Sequence, residues 1–80
     1  MDFEAKVREF IQKNFYAART GEFADDASLL DLGIVDSTGI LEVIGFLETD
    51  LGVHVEDDEM IPENLDSVAA IAGFVRRKKG

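Results

Sequence analysis

The stretch LLDLGIVDSTGILEVIGFLE, residues 29–48, places an Asp-Ser pair directly before a run of apolar residues with helical spacing. Asp and Ser both favour the start of a helix, because a side-chain oxygen there accepts a hydrogen bond from an unpaired backbone amide. The stretch therefore predicts a helix from about Ser37 to Leu51. Three roles for Ser37 stay open at this point: a helix cap, a nucleophile, or a site of covalent attachment.

The predicted helix has two faces of different chemistry. At about 100° per residue, one arc is apolar and must face the core; it holds Ile40, Val43, Ile44, Leu47 and Leu51. The opposite arc holds Thr38, Glu42, Gly45 and Thr49, with Leu41 and Phe46 at its margins and Ser37 exposed at the N-terminal end. Such a face suits a shallow contact with another protein, and the alternative is an ordinary solvated face with two exposed apolar residues.

The rest of the chain also reads as helical. Apolar residues at three-to-four-residue spacing behind Asp2 predict a first helix that ends before Gly21, followed by a loop over residues 21–35. Pro62 suits the start of a turn or short helix. Asp66 or Ser67 can cap a last helix, and residues 76–80 are expected to form a frayed tail. The pattern predicts an all-α, three-to-four-helix bundle with a long loop between helices one and two.

Size and composition limit what the chain can do. Eighty residues with 46% hydrophobic content predict one domain over residues 1–80, and a domain this small buries only roughly 60% of its unfolded surface. A deep catalytic cavity is therefore not expected. The chain has no cysteine and one histidine, which excludes disulfides and a thiolate zinc site. Without a secretory signal or an apolar run of about 18 residues, the sequence predicts a cytoplasmic protein with no membrane span.

Charge is segregated along the sequence. The eight Lys and Arg residues against seventeen Asp and Glu give a net charge of -9. Every basic residue lies in residues 6–19 or 76–79, while residues 20–75 are acidic without a Lys or Arg. The negative electrostatic field of this long acidic segment repels nucleic-acid phosphates and attracts a basic protein surface. The expected partner is a protein with a positive patch.

Catalysis by Ser37 is not supported by the surrounding residues. VDSTG ends like the G-x-S-x-G elbow of serine hydrolases, but Val35 stands where the first glycine is needed for the sharp turn. A triad would also need His54 as its base. The stretch DDASLLDLG lacks the alternating ligands of a calcium loop. We therefore predict neither an intrinsic catalytic site nor a metal site.

Attachment is favoured by a family resemblance. Residues 32–48 resemble the phosphopantetheine-attachment region of acyl carrier proteins and related peptidyl and aminoacyl carriers. The shared features are Leu32-Gly33 at the end of a loop, Asp36-Ser37 at the start of the second helix, and Glu42 five positions after the serine. The resemblance continues through FLETDLGVHVEDDEMI and DSVAAIAGFV, so it covers nearly the whole chain.

The resemblance implies a carrier protein rather than an enzyme. A phosphopantetheinyl transferase would attach 4′-phosphopantetheine from coenzyme A to Ser37, with Asp36 as a supporting residue, and the arm would hold acyl or aminoacyl intermediates as thioesters in a biosynthetic pathway. Activating ligases or synthases with basic docking patches would be the further partners of a monomeric, free-standing carrier. The alternative to a free-standing carrier is a module of a larger synthase. The expected partner-binding residues are Thr38, Leu41, Glu42, Gly45 and Glu48.

Two departures from the family pattern indicate which kind of carrier the chain resembles most. Many fatty-acid carriers have bulky apolar residues at the positions of Thr38 and Gly45. The glycine two positions after Ser37 is closer to discrete carriers loaded by adenylate-forming ligases, including D-alanyl and other aminoacyl carriers. The rival hypothesis is a non-catalytic acidic helical adaptor whose partners bind the unmodified protein.

Overall fold

A computed structural model describes residues 2–15 and 23–80, and within these residues the chain is helical with no strand. The helices are α1 (Phe3–Asn14), α2 (Ser37–Thr49), α3 (Pro62–Leu65) and α4 (Val68–Lys79), with a 3-10 turn at Asp57–Glu59. This confirms the predicted all-α bundle of three main helices and one short one. The end of the first helix as predicted, toward Gly21, lies partly outside the described residues.

Side-chain caps explain where the helices begin. Asp2 Oδ1 accepts a hydrogen bond from the Ala5 amide at 3.0 Å, and Ser67 Oγ accepts one from the Ala70 amide at 3.0 Å. Ser67 is therefore the cap of α4 among the two predicted candidates. Pro62 occupies the first turn of α3, where its missing N–H would have no partner in any case.

The core lies between α1, α2 and α4. Fully buried side chains come from every long helix and from the loop before α2, and they include Val7, Ile11, Leu29, Val43, Leu47, Val68, Ile71 and Val75. The predicted inner face of α2 is confirmed for Val43, Ile44 and Leu47, which are buried, and for Ile40, which packs against the same cluster. Leu51 is buried as well, but it lies beyond the helix, which ends at Thr49 and not at Leu51 as predicted. Burial of this apolar area is the main force that holds the three long helices together.

Phe46 differs from the sequence expectation. It was expected at the margin of the exposed face, but its ring is partly buried and stacks on Phe10 of α1, with centroids 4.2 Å apart and planes at 14°. Phe10 also meets Phe15 edge to face at a centroid distance of 6.1 Å. We call Phe15, Phe10 and Phe46 the aromatic row; it joins α1 to α2.

The C-terminal residues are helical through Lys79. Three basic side chains of the last turns hydrogen-bond to acceptors on other segments of the chain. These contacts join Arg76 to Glu4, Arg77 to Asn64 and Lys78 to Glu59. Cations near the C-terminal end of a helix are also favoured by its dipole.

Asp66, between α3 and α4, anchors the loop that precedes α2. Its carboxylate accepts hydrogen bonds from Ser28 Oγ at 2.5 Å and from the Leu30 amide at 2.9 Å. Its backbone carbonyl accepts one from the amide of the fully buried Leu29 at 2.7 Å. The loop is thereby attached to a segment almost forty residues away in sequence.

Asp66→Ala should destabilise the fold. The substitution leaves the Leu30 amide and the Ser28 hydroxyl without their acceptor, so the free energy of unfolding should fall by about 1–3 kcal/mol. Urea denaturation measures this. Asp26→Ala, an exposed residue of the same loop, is the control and should shift it by less than about 0.5 kcal/mol. Equal effects of the two variants would contradict the anchor.

The ion pair of Glu4 and Arg76 gives a pH-dependent contribution to stability. The hydrogen bond from Arg76 lowers the pKa of Glu4 below its ordinary value. Because the folded state favours the charged carboxylate, the contribution is present above about pH 4.5 and is lost as pH falls through the lowered value. Glu4→Gln should therefore melt below wild type at pH 7, and the difference should close in acid. Glu42→Gln, the control, should melt like wild type at pH 7, and a Glu4→Gln difference that persists in acid would contradict the pair.

Candidate functional site

Asp36, not Ser37, caps helix α2. Asp36 has an extended backbone, and its Oδ1 accepts a hydrogen bond from the Gly39 amide at 2.7 Å. Ser37 is the first residue of the helix and is exposed, and its hydroxyl makes no hydrogen bond to the residues that the structure describes. Since Asp36 already satisfies the capping requirement, the Ser37 hydroxyl is available for chemistry.

The chain holds a second Asp-Ser pair, Asp66-Ser67, and the structure uses it differently. There the serine is the cap, because Ser67 Oγ accepts from the Ala70 amide, while Asp66 binds the loop. The remaining serine, Ser28, donates to Asp66. Of the three serines in the chain, Ser37 alone combines an exposed position with a hydroxyl that bonds to none of the described residues.

A turn at Gly33 directs the backbone toward Asp36 at the start of α2. Gly33 has φ +72°, a conformation that costs any residue with a Cβ atom, and its amide donates to the Leu30 carbonyl at 3.1 Å. The Ile34 and Val35 amides then both donate to the Leu29 carbonyl. The Leu-Gly element of the motif therefore has a structural reason, since Gly33 lets the loop close before α2 begins.

The expected partner-binding residues lie on the exposed side of α2. Thr38, Leu41, Glu42 and Glu48 are exposed, Leu41 with 65% of its surface, and Gly45 is partly exposed. Helical spacing brings them together within about a third of the helix circumference. No Lys or Arg lies within α2, so this face, which we call the α2 face, presents acidic and small residues beside one large apolar side chain.

Glu48 contacts a histidine of the loop that follows α2. His54 Nδ1 lies 3.2 Å from Glu48 Oε2, and His54 Nε2 lies 3.1 Å from Glu56 Oε1. The Val55 amide also donates to Glu48, at 3.3 Å. Glu48 therefore holds the loop after α2, and Glu42 is the carboxylate of the α2 face without an ion pair to a described residue.

His54 is not placed to act as a base for Ser37. It pairs with Glu48 near the far end of α2, and the eleven residues from Ser37 to Glu48 span about 16 Å at 1.5 Å per residue. His54 is itself exposed. The serine–histidine pair that a hydrolase needs is therefore not assembled.

Among residues 2–15 and 23–80, no three or more His, Cys, Asp or Glu side chains are grouped so that they could hold a metal ion. No helix within these ranges combines the length and apolar content needed to cross a membrane.

An apolar crevice lies beside the start of α2, and sequence reasoning missed it. It measures about 100 Å³ and is lined by Leu30, Ile40, Met60, Ile61, Pro62 and Leu65. The residues come from three separate segments of the chain. The one signal in the sequence was the short apolar run Met60-Ile61-Pro62 after the acidic residues 56–59.

Comparison with known families identifies the class. The family model described as the phosphopantetheine attachment site matches residues 5–75. The match covers most of the chain, and the chain belongs to this family of phosphopantetheine-binding carriers, as predicted. No curated protein matches the chain.

Family membership settles the cofactor and the kind of role. Members carry covalently attached 4′-phosphopantetheine, are carriers rather than enzymes, and interact with transferases and with synthases or ligases. The site is suited to such a group, because Ser37 offers an exposed hydroxyl at a helix N-terminus, where unpaired amides and the dipole favour a phosphate.

Proposed function

We propose that Ser37 is the attachment residue and that the chain is a discrete carrier of acyl or aminoacyl groups. The main observation behind the proposal is that Asp36, and not Ser37, accepts the capping hydrogen bond at the start of α2. The neighbouring serine hydroxyl therefore stays exposed. The other two serines, Ser67 and Ser28, form hydrogen bonds that hold the fold, which also supports Ser37 as the attachment residue.

The proposed attachment is a phosphoryl transfer with coenzyme A as donor. Ser37 Oγ forms a bond to the phosphorus nearer to the pantetheine, the pyrophosphate P–O bond breaks, adenosine 3′,5′-bisphosphate leaves, and the serine proton passes to a base of the transferase. The attached arm supplies a thiol for thioesters, which this cysteine-free chain cannot provide from its own side chains.

The cargo that we propose is small and is loaded by an adenylate-forming ligase. The crevice beside α2 measures about 100 Å³, well below the roughly 300–1,000 Å³ of pockets that enclose a drug-sized ligand. Thr38 and Gly45 replace the bulky residues of many fatty-acid carriers. Both observations support a short acyl or an aminoacyl group over a long chain.

The α2 face is the proposed docking surface for these enzymes. An exposed carboxylate such as Glu42 speeds encounter with a basic partner, while a small contact area allows rapid release. A carrier needs both properties because it must visit several enzymes in turn. One carrier domain over residues 1–80, a monomeric state and a cytoplasmic location complete the proposal and stay predictions from the sequence.

Modification should depend on Ser37 alone. Incubation with a broad-specificity phosphopantetheinyl transferase and coenzyme A should add one phosphopantetheine mass to wild type and none to Ser37→Ala, as measured by intact-mass spectrometry. Ser67→Ala is the matched control, because it alters the serine of the other Asp-Ser pair and should still be modified. Wild type that stays unmodified with several transferases would reject the proposal.

The rival functions predict different results from the same variants. An adaptor would bind its partners equally well as unmodified protein and as Ser37→Ala. A serine hydrolase would turn over activated esters without coenzyme A and would lose this activity in His54→Ala.

Docking should depend on the charge of Glu42. Glu42→Lys should slow modification or loading mainly through weaker encounter, while its thermal melt should stay near that of wild type, because exposed substitutions usually shift stability by within about 0.5 kcal/mol. Raising the salt concentration should bring the wild-type rate toward that of the variant, since screening shortens the field to about 8 Å near physiological ionic strength.

Glu63→Lys is the matched control for this docking test. Glu63 is exposed on α3, so the variant makes the same change in net charge away from the α2 face and should slow the reaction less. Equal rates of wild type and Glu42→Lys at low salt would show that recognition lies elsewhere.

A further inference from the structure

Gly39, two residues after Ser37, has much less space around it than Gly45, the other glycine of α2. It is buried, and a Cβ atom at this position would lie 2.7 Å from Phe15 Cε1 and 3.1 Å from Val35 Cγ1. Atoms do not approach a Cβ so closely, so any other residue here would force the Phe15 ring to move. By contrast, Gly45 on the same helix has open space around it.

Phe15 belongs to the aromatic row that joins α1 to α2. It is the C-terminal cap residue of α1, with its amide donating to the Ile11 carbonyl at 2.9 Å. Its ring meets Phe10 edge to face, and Phe10 stacks on Phe46. Gly39 and Phe46 stand in the first and last turns of α2, so the row contacts the helix near both ends.

We propose that the contact of Phe15 with Gly39 positions the first turn of α2, and thereby Ser37, for modification. The inference rests on the proposed function of Ser37. The Gly39 amide also donates the hydrogen bond that the capping carboxylate of Asp36 accepts, at 2.7 Å. Ser37 therefore lies between Asp36, which accepts this hydrogen bond, and Gly39, which donates it. The ring of Phe15 covers Gly39.

The positioning has a direct consequence for group transfer. Reaction requires the serine hydroxyl to meet the donor phosphorus in a defined direction, and a misplacement of about 1 Å can cost on the order of a hundredfold in rate. Phe15 and Gly39 need not touch the transferase for this effect. They are positioning residues, and they should alter the rate of the chemical step more than the binding of the partner.

Gly39→Ala tests the contact through kinetics. The added methyl group displaces Phe15, so kcat for modification should fall by about tenfold or more with a smaller change in KM. Gly73→Ala is the control, because its Cβ meets only the end of the Arg77 side chain at 3.7 Å, and it should be modified at the wild-type rate.

A second substitution separates positioning from general damage. Phe15→Leu shortens the side chain that the new methyl group meets, so the double variant Gly39→Ala/Phe15→Leu should recover most of the lost rate, whereas unrelated defects would add. A wild-type rate for Gly39→Ala, or a double variant no faster than Gly39→Ala, would overturn the inference.

Amide hydrogen exchange tests the contact without any transferase. In the unmodified protein, Phe15→Ala should speed exchange of the Gly39 amide by about tenfold, while the Val43 and Leu47 amides in the same helix keep their wild-type rates. Unchanged exchange at Gly39 would overturn the inference even if Ser37 is modified. Faster exchange in a chain that no transferase modifies would support the contact and reject the proposed function, so the two failures are distinguishable.

Discussion

The carboxylate of Asp66 fixes the path of the chain toward Ser37. It accepts hydrogen bonds from Ser28 and Leu30, and the adjoining carbonyl accepts from Leu29, so three consecutive residues of the loop are attached at one point. The buried Leu29 side chain adds apolar packing to this anchor. Without these contacts, local opening of the loop would cost little free energy, because the loop has no regular secondary structure. Because the anchor lies only a few residues before the start of α2, it limits where Ser37, the proposed attachment residue, can stand.

The residue that occupies the N-cap position then decides which serine hydroxyl is left without a structural hydrogen bond. A side-chain oxygen at the capping position accepts a hydrogen bond from an amide of the first turn, so a hydroxyl one residue later is not needed for that bond. Asp36 takes the capping position at α2, and Ser67 takes it at α4. The same dipeptide therefore yields an exposed, unused hydroxyl in one place and a structural one in the other. For a carrier, the aspartate before the serine contributes by leaving the serine free.

Local features were predictable from the sequence, and contacts between distant segments were not. The caps and the inner face of α2 depend on residues a few positions apart, so periodicity was sufficient to find them. The burial of Phe46 depends on how α1 crosses α2, and the pairing of Glu48 with His54 depends on the direction of the loop after the helix. The space around Gly39 depends on Phe15, twenty-four residues earlier. Hydrophobic spacing within one helix carries no information about these relations. The motif that identifies the attachment region was readable, while the reason for its second glycine required the packed structure.

Localisation of the modification within the wild-type chain tests the cap-register account most directly. The chain has no Lys or Arg between residues 20 and 75, so trypsin leaves Ser28, Ser37 and Ser67 in one peptide, and the site must be assigned by fragmentation of that peptide in tandem mass spectrometry. The account predicts that phosphopantetheine is found on Ser37 alone. Its presence on Ser67, in the other Asp-Ser pair, or on Ser28 would contradict the claim that the position of the cap selects the attachment residue.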